Sequence, residues 1–237
     1  MGSRSTVISG LRHRHHQLVV LFTALASTLG LWSARALEPI PDKLVVLTFD
    51  DSVVSQYTVV RPLLKKHGFG ATFFITEGFT FKTNKQDYMT WEQIAELHQD
   101  GFEIGNHTQD HRKLTWLGRA AIAAQVDEAQ AAIRGCGVPA PRWFRAPHGF
   151  KAPWLLPILR ARGLRLVAWT HGVWDTDRPG AEVIARRSLR HLRDGEILLL
   201  HDGGGDRAQT AAALVPILRA CAQRGLQAVT LSELLEE

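Results

Sequence analysis

Cysteine is almost missing from this chain: Cys136 and Cys221 are the only two in 237 residues. Two thiols make at most one bridge, so a fold stapled by several disulfides is excluded. They stand far apart in sequence, each near an expected helix end, and two free, partly buried thiols are expected. An apolar run long enough to span a bilayer is missing too. The longest, LVVLFTALASTLGLW, has about 15 residues where roughly 20 are needed. Acid is absent from the first 36 residues. That stretch runs from the basic RHRHH through the apolar run to Ala34-Arg35-Ala36, the order of a secretory signal peptide, with an uncleaved anchor as the alternative. His13, His15 and His16 belong to its basic start rather than to a metal tract. The expected division is therefore a leader at 1–36 and one domain at 37–237, exported to the periplasm or beyond, and in contact with membrane only if the leader stays.

The net charge falls once the leader is set aside. A formal charge of +5 and a pI of about 9.6 suggest nucleic acid at first sight. The leader holds Arg4, Arg12, Arg14 and Arg35 and no acid, so without it the charge falls to +1. No nucleic-acid partner is expected. A phosphate loop is also missing, because Gly203-Gly204-Gly205 is not followed by Lys-Ser/Thr and reads only as a loop at a rim.

What the chain does have is a repeated unit: an amphipathic helix, a charged residue with Gly, and a short apolar strand. KKHGFGATFFI, LHQDGFEIGNH, RARGLRLVAWT, LRDGEILLLHD and AQRGLQAVTL follow it, and AAIRGCGVPAPRWFRAP follows it loosely. Glycine just past a helix takes the left-handed turn that ends it, so each instance marks a helix stop and a strand start. With KLVVLTF first, about seven strands alternate with helices such as SQYTVVRPLLKKH, TWEQIAELHQD and LGRAAIAAQVDEAQAAIR. Continuous apolar strands in βα alternation imply a parallel sheet buried on both faces, either a barrel or an open doubly wound sheet. Polar clusters follow the strands, as FDD, GNHTQDH, FRAPHG, THGVWD and LHDGG. Carboxyl ends of parallel strands are where both architectures place their sites.

Within those clusters, His107 and His111 at i and i+4 share a face if that turn is helical. Two His with one carboxylate and an open position form a catalytic zinc arrangement. This gives a reason for adjacent Asp50 and Asp51, since a cation offsets their repulsion when one ligates it and the other stays free. The free one can take a proton from water that zinc acidifies to a pKa of roughly 7. Asp and Ser before a helix also serve as caps, and that reading stays open.

Taken together, TFDD at 48–51, HTxxH at 107–111, RAPHG at 145–149, Trp174-Asp175 and LLH at 199–201 resemble, in order, the five motifs of the NodB-homology polysaccharide deacetylases, carbohydrate esterase family 4. The resemblance covers about residues 40–235. It implies a distorted (β/α)7-type barrel that removes acetyl groups from sugars with a divalent metal, usually zinc. It also implies Asp50 as base, Asp51, His107 and His111 as metal ligands, and Arg145 as the group that keeps Asp50 ionised. The backbone N–H of His148 falls at the oxyanion, His201 matches the general acid, and Asp175 its partner. Trp174 and Leu199 match the walls of an acetyl-methyl pocket, although taken singly both read as core.

Several residues depart from that pattern. Ser52 replaces the usual Gly after the Asp pair, His148 replaces the usual aromatic, and VWDTD offers Asp177 beside Asp175. The aromatic stretch GFTFKTNKQDYMTW, with Phe79, Phe81, Tyr88 and Trp91, is either a sugar-contacting loop or packing over the barrel edge. The expected reaction is N-deacetylation of an amino-sugar polymer such as chitin oligomers or peptidoglycan. An O-acetyl xylan esterase and a non-catalytic carbohydrate-binding homologue are the alternatives, and nothing in the sequence bears on oligomeric state.

Overall fold

The computed structural model describes residues 43–201 and 208–235. The expected leader and Gly203-Gly204-Gly205 lie outside the described residues. No described helix is long and apolar enough to cross a membrane.

The strands fall where the repeated unit places them: β1 Leu44–Asp50, β2 Thr72–Ile75, β3 Glu103–Asn106, β4 Trp143–Phe144, β5 Arg165–Leu166, β6 His171–Gly172, β7 Glu196–His201 and β8 Gln227–Val229. The helices are α1 Arg61–His67, α2 Trp91–Gln99, α3 Arg119–Gly135, α4 Leu155–Arg160, α5 Ala181–His191, α6 Ala208–Arg224 and α7 Leu231–Leu235. All strand pairs are parallel, in the order β5-β4-β3-β2-β1-β7-β6. β8 pairs with the first half of β1, Leu44 to Val46, and β2 with its second half, Thr48 to Asp50.

The charged-Gly stops act as expected. Gly68 closes α1 at φ 64°, and Gly225 turns between α6 and β8 at φ 67°. A side chain with a Cβ resists that conformation. The expected helix SQYTVVRPLLKKH is less regular than its pattern, because Gln56–Val60 winds as a wider π-type turn before α1. Pro62 lies at the start of α1 and cannot donate to the preceding turn, which accounts for the break.

Between barrel and open sheet, the sheet curls into a distorted barrel whose edge strands, β5 and β6, share no ladder. Val167 N donates to Phe144 O beside β4, and three residues later Thr170 N donates to Ile197 O beside β7. The single stretch RLVAWTHG therefore spans the two edge strands, and the eight ladder segments come from seven strand-forming stretches. A second sign of closure is one apolar cluster holding Val46, Phe74, Trp143, Val167, Ile197 and Val229. These residues come from strands all around the sheet, and only a curled sheet brings them together. Leu231 and Leu234 of α7 join that cluster, so the last helix closes the barrel floor. The opposite faces of β1 and β2, with Leu47, Phe49 and Phe73, pack outward against Leu64, Ile94 and Leu218 of the helices. The carboxyl ends of the strands are left as the open mouth.

Candidate active site

Two carboxylates end β1 and begin the mouth. Asp50 is the last strand residue, while Asp51 and Ser52 both turn left-handed, at φ 78° and 61°. Such backbone costs roughly 1–2 kcal/mol per non-glycine residue. It explains why glycine suits position 52. Here Ser52 offsets the cost locally, since its Oγ donates to Thr76 O at 2.8 Å and accepts from Thr76 N at 2.9 Å. Among non-glycine residues with positive φ, Asp51, Ser52, Phe79, Thr108, His111, His148 and Trp174 all lie after strands in the same mouth region. Strain gathered this way marks a site whose geometry the surrounding fold imposes.

The turn carrying His107 and His111 is not helical. Residues 107–113 form an irregular loop, with Thr108 at φ 72° and His111 at φ 59°. The loop is pinned from below. Asn106 reaches Val126 O at 3.0 Å and accepts from Thr108 N at 2.9 Å, and Gln125 of α3 accepts from Asp110 N at 3.1 Å. The two imidazoles still meet, with ring centres 4.9 Å apart. Gly78 permits the approach of His111, because a Cβ there would lie 2.6 Å from the His111 Cβ.

Asp51, His107 and His111 bring one donor atom each to within 4.8 Å of one another. His107 Nδ1 lies 2.8 Å from Arg145 O, and a carbonyl only accepts, so Nδ1 carries a hydrogen and Nε2 is the ring atom that faces the carboxylates. Nε2 is 3.6 Å from both Asp50 Oδ2 and Asp51 Oδ1, and His111 Nε2 is 3.3 Å from Asp51 Oδ1. Burial, then the neighbouring His107, His148 and His201, push His111 down to about 2, so it is neutral. Burial likewise raises the Asp51 carboxyl. Asp51 Oδ1 is buried without a hydrogen-bond partner. Two imidazoles around an orphaned carboxylate oxygen fit a divalent cation, and two nitrogens with one oxygen are a zinc-type donor set.

Asp50 is held differently. Arg145, from the end of β4, is buried and donates from Nη1 to Asp50 Oδ1 at 2.8 Å and to Thr48 Oγ1 at 2.7 Å, and from Nη2 to Ala168 O at 3.0 Å. β4 and β1 are three strand steps apart, about 14 Å in a flat sheet. The curl of the barrel is what lets one arginine reach. Thr48 and Ala168 carried no signal in the sequence for this role; they are found only because the arginine crosses the barrel interior.

His201 ends β7 and is the register partner of Asp50 across the β1–β7 ladder. Of the two candidate partners, Asp175 is the one in contact. Its Oδ2 accepts from His201 N at 2.6 Å and from Thr210 Oγ1 at 3.2 Å, and its Oδ1 lies 3.1 Å from His201 Nδ1. Burial lowers His201, but the Asp175 bond and charge, with the charges of Asp50 and Asp51, outweigh it and leave His201 raised to about 9. Thr210, on α6, was not legible as a site residue.

The remaining expected residues divide. Leu199 is buried in β7, whereas Trp174 is 67% exposed, against its reading as core. His148 stands at φ 58° on a tight turn, its ring 4.8 Å from that of His111. Its N–H donates to no acceptor among the described residues. Phe81 and Tyr88 are buried and Trp91 packs against the core, while Phe79 is exposed with its ring 4.7 Å from His111. The aromatic stretch is thus mostly packing with one exposed ring. Cys136 and Cys221 are free, as expected.

A family profile described as polysaccharide deacetylase matches residues 38–179. A peptidoglycan-N-acetylglucosamine deacetylase of Bacillus cereus is 32% identical over 203 residues, 83% of this chain and 90% of the relative. A chitooligosaccharide deacetylase of Azorhizobium caulinodans is 34% identical over 194 residues, 76% of this chain and 89% of the relative. Among solved structures, a mutant of a CE4 family pseudoenzyme from Bacillus anthracis, with restored enzymatic activity, matches with a TM-score of 0.73 at 26% identity, covering 84% of this chain and 70% of that one. A fold shared with a pseudoenzyme does not by itself carry chemistry, so the chemistry has to be argued from the residues at the mouth.

Proposed function

From a chain that belongs to the polysaccharide deacetylase family, carbohydrate esterase family 4, we propose an exported enzyme that hydrolyses N-acetyl groups of an amino-sugar polymer, with Asp51, His107 and His111 holding a divalent metal, zinc by preference. The observation that carries this reading is the pairing of Asp50 with His201, register partners on β1 and β7 beside the three ligands. An amide needs water deprotonated at attack and nitrogen protonated at departure. A base and an acid must therefore coexist in the right states at one mouth.

The residues supply both. Arg145 occupies Asp50 Oδ1, which leaves Oδ2 facing the ligand cluster as the oxygen that takes the water proton. The new C–O bond forms at the acetyl carbon, and the N–H of His148 would donate to the oxyanion, where a fixed donor is worth about 3 kcal/mol. Asp51, His107 and His111 would hold a divalent cation, whose chemistry when bound would be to polarise the carbonyl and acidify the attacking water. Asp175 engages Nδ1 of His201, so Nε2 delivers the proton to the nitrogen as the C–N bond breaks, releasing acetate and a free amine. Trp174 and Leu199 would wall the methyl pocket.

Relatives that are a peptidoglycan-N-acetylglucosamine deacetylase and a chitooligosaccharide deacetylase support an N-acetylated amino-sugar polymer as the substrate. Acetate release by the metal-loaded protein from chitin oligomers, peptidoglycan and acetylxylan tests it. Release from acetylxylan alone would make it an O-acetyl esterase, and release from none would make it a binding homologue. His201→Ala should slow an N-acetylglucosamine oligomer far more than 4-nitrophenyl acetate, whose leaving group needs little help. Equal losses would count against His201 as the acid. Export is tested by fusing residues 1–40 to a reporter active only outside the cytoplasm, and by N-terminal sequencing, which should begin near Leu37.

A further inference from the structure

Beyond His111 and His148, rings continue outward from the ligand cluster through residues that none of the five motifs covers. His111 contacts His148 at 4.8 Å between ring centres, and His148 contacts Phe150 at 6.2 Å. Lys113 Nζ then lies 5.8 Å from the Phe150 ring centre and 4.8 Å from that of Trp116. Phe150 is 48% exposed and Trp116 78%, the highest of the exposed large apolar side chains. Single exposed aromatics need no explanation, but two bracketing one cation beside a catalytic mouth do.

Both rings are presented on anchored turns. Trp116 closes the short turn Leu114–Trp116, whose Leu114 is fully buried, and Trp116 N donates to Lys113 O at 3.2 Å. Phe150 N donates to Pro147 O at 3.2 Å, and the preceding Gly149 sits so close to Trp169 that a Cβ would fall 2.8 Å from its ring. Fixed aromatic rings bind with little ordering cost. Lys113 has no carboxylate within ion-pair distance among the described residues, while its neighbour Arg112 is held by Asp110 at 2.7 Å. An ammonium between two flat apolar faces suits a ligand that offers a ring face and an anion together.

We propose that Trp116, Lys113 and Phe150 form a distal subsite for a carboxylate-bearing sugar of the same polymer strand whose N-acetyl group lies at the catalytic mouth. This rests on the deacetylase reading above and deepens it, because it makes the enzyme select acidic glycans over neutral ones. The rings take the sugar faces and Lys113 the carboxylate through a charge-assisted hydrogen bond.

The test compares kcat/KM for a soluble peptide-free glycan fragment of peptidoglycan, whose muramic lactyl groups then carry free carboxylates, with that for an N-acetylglucosamine oligomer of equal length. The ratio of acidic to neutral substrate should fall about threefold in Lys113→Gln, the size of one exposed ion pair, through KM rather than kcat. It should be kept in Lys113→Arg. In the wild type the ratio should decline with added salt, and in Lys113→Gln it should not. Trp116→Ala should raise KM for both substrates about tenfold. An unchanged ratio in Lys113→Gln, or equal loss in the Gln and Arg variants, would overturn the subsite. If the metal-loaded wild type releases acetate from neither substrate, the deacetylase reading fails and the subsite is read by binding alone. Tryptophan fluorescence should then respond to the acidic fragment in the wild type and Lys113→Arg but not in Lys113→Gln, and no difference among the three would sink it.

Discussion

Two histidines at one barrel mouth are driven in opposite directions. His111, at the β3 side, is pushed down to about 2, first by burial and then by the imidazoles around it. His201, at the β7 side, is raised to about 9, because Asp175 and the Asp50–Asp51 pair outweigh its burial. The β3 side leaves Asp51 Oδ1 orphaned, whereas the β7 side satisfies Asp175 Oδ2 from two donors and Oδ1 from the imidazole. The same residue type is prepared in one place to hold a cation and in the other to hold a proton. Environment, not identity, makes that assignment.

The sharpest way to break the comparison is to remove a ligand. His107→Ala, His111→Ala or Asp51→Ala should lose both metal and activity, since three protein ligands are few. Elemental analysis that finds full metal in all three would show that the β3 side is not the metal site. Asp50→Asn should separate the two properties, keeping metal while kcat falls by a factor of about 100 to 10,000.

The next test acts on the β7 side. Asp175→Asn takes away the bond and charge that raise His201, so the alkaline limb of the rate–pH profile should move toward lower pH with metal content unchanged. A limb that stays in place would mean that Asp175 does not set the acid.

In the metal-free protein the two histidines should also shape stability. His201, raised from 6.5 to about 9, contributes stability that is fully present below 6.5 and lost as pH rises through 9, at most about 3 kcal/mol. His111, lowered from 6.5 to about 2, resists protonation when folded, so its contribution is present above 6.5 and lost as pH falls toward 2. Urea unfolding across pH after chelation should show Asp175→Asn flattening the alkaline side and His111→Gln the acid side. Identical profiles in both variants would refute the opposed shifts.

The smallest effect belongs to Trp174→Ala. A residue this exposed should change stability by less than about 0.5 kcal/mol, while KM for oligomers rises if it walls the acetyl pocket. A stability loss of several kcal/mol with unchanged KM would return Trp174 to a packing role.

The sequence by itself determined the βα alternation, the helix stops at charged-Gly pairs, the parallel sheet, the strand ends as the site, and the residue types gathered there. Those signals are local: a glycine that turns left-handed and apolar runs that bury both faces act within a few residues of themselves. Only the tertiary structure decided the rest. It curled the sheet so that RLVAWTHG supplies both of its edges, and carried Arg145 across the interior to Asp50. It chose Asp175 over Asp177, placed His107 and His111 on a strained loop, and left Trp174 exposed. Each of those outcomes depends on sheet curl and register between segments far apart in the chain. The distances that set a pKa or orphan an oxygen exist only after every strand has found its neighbour.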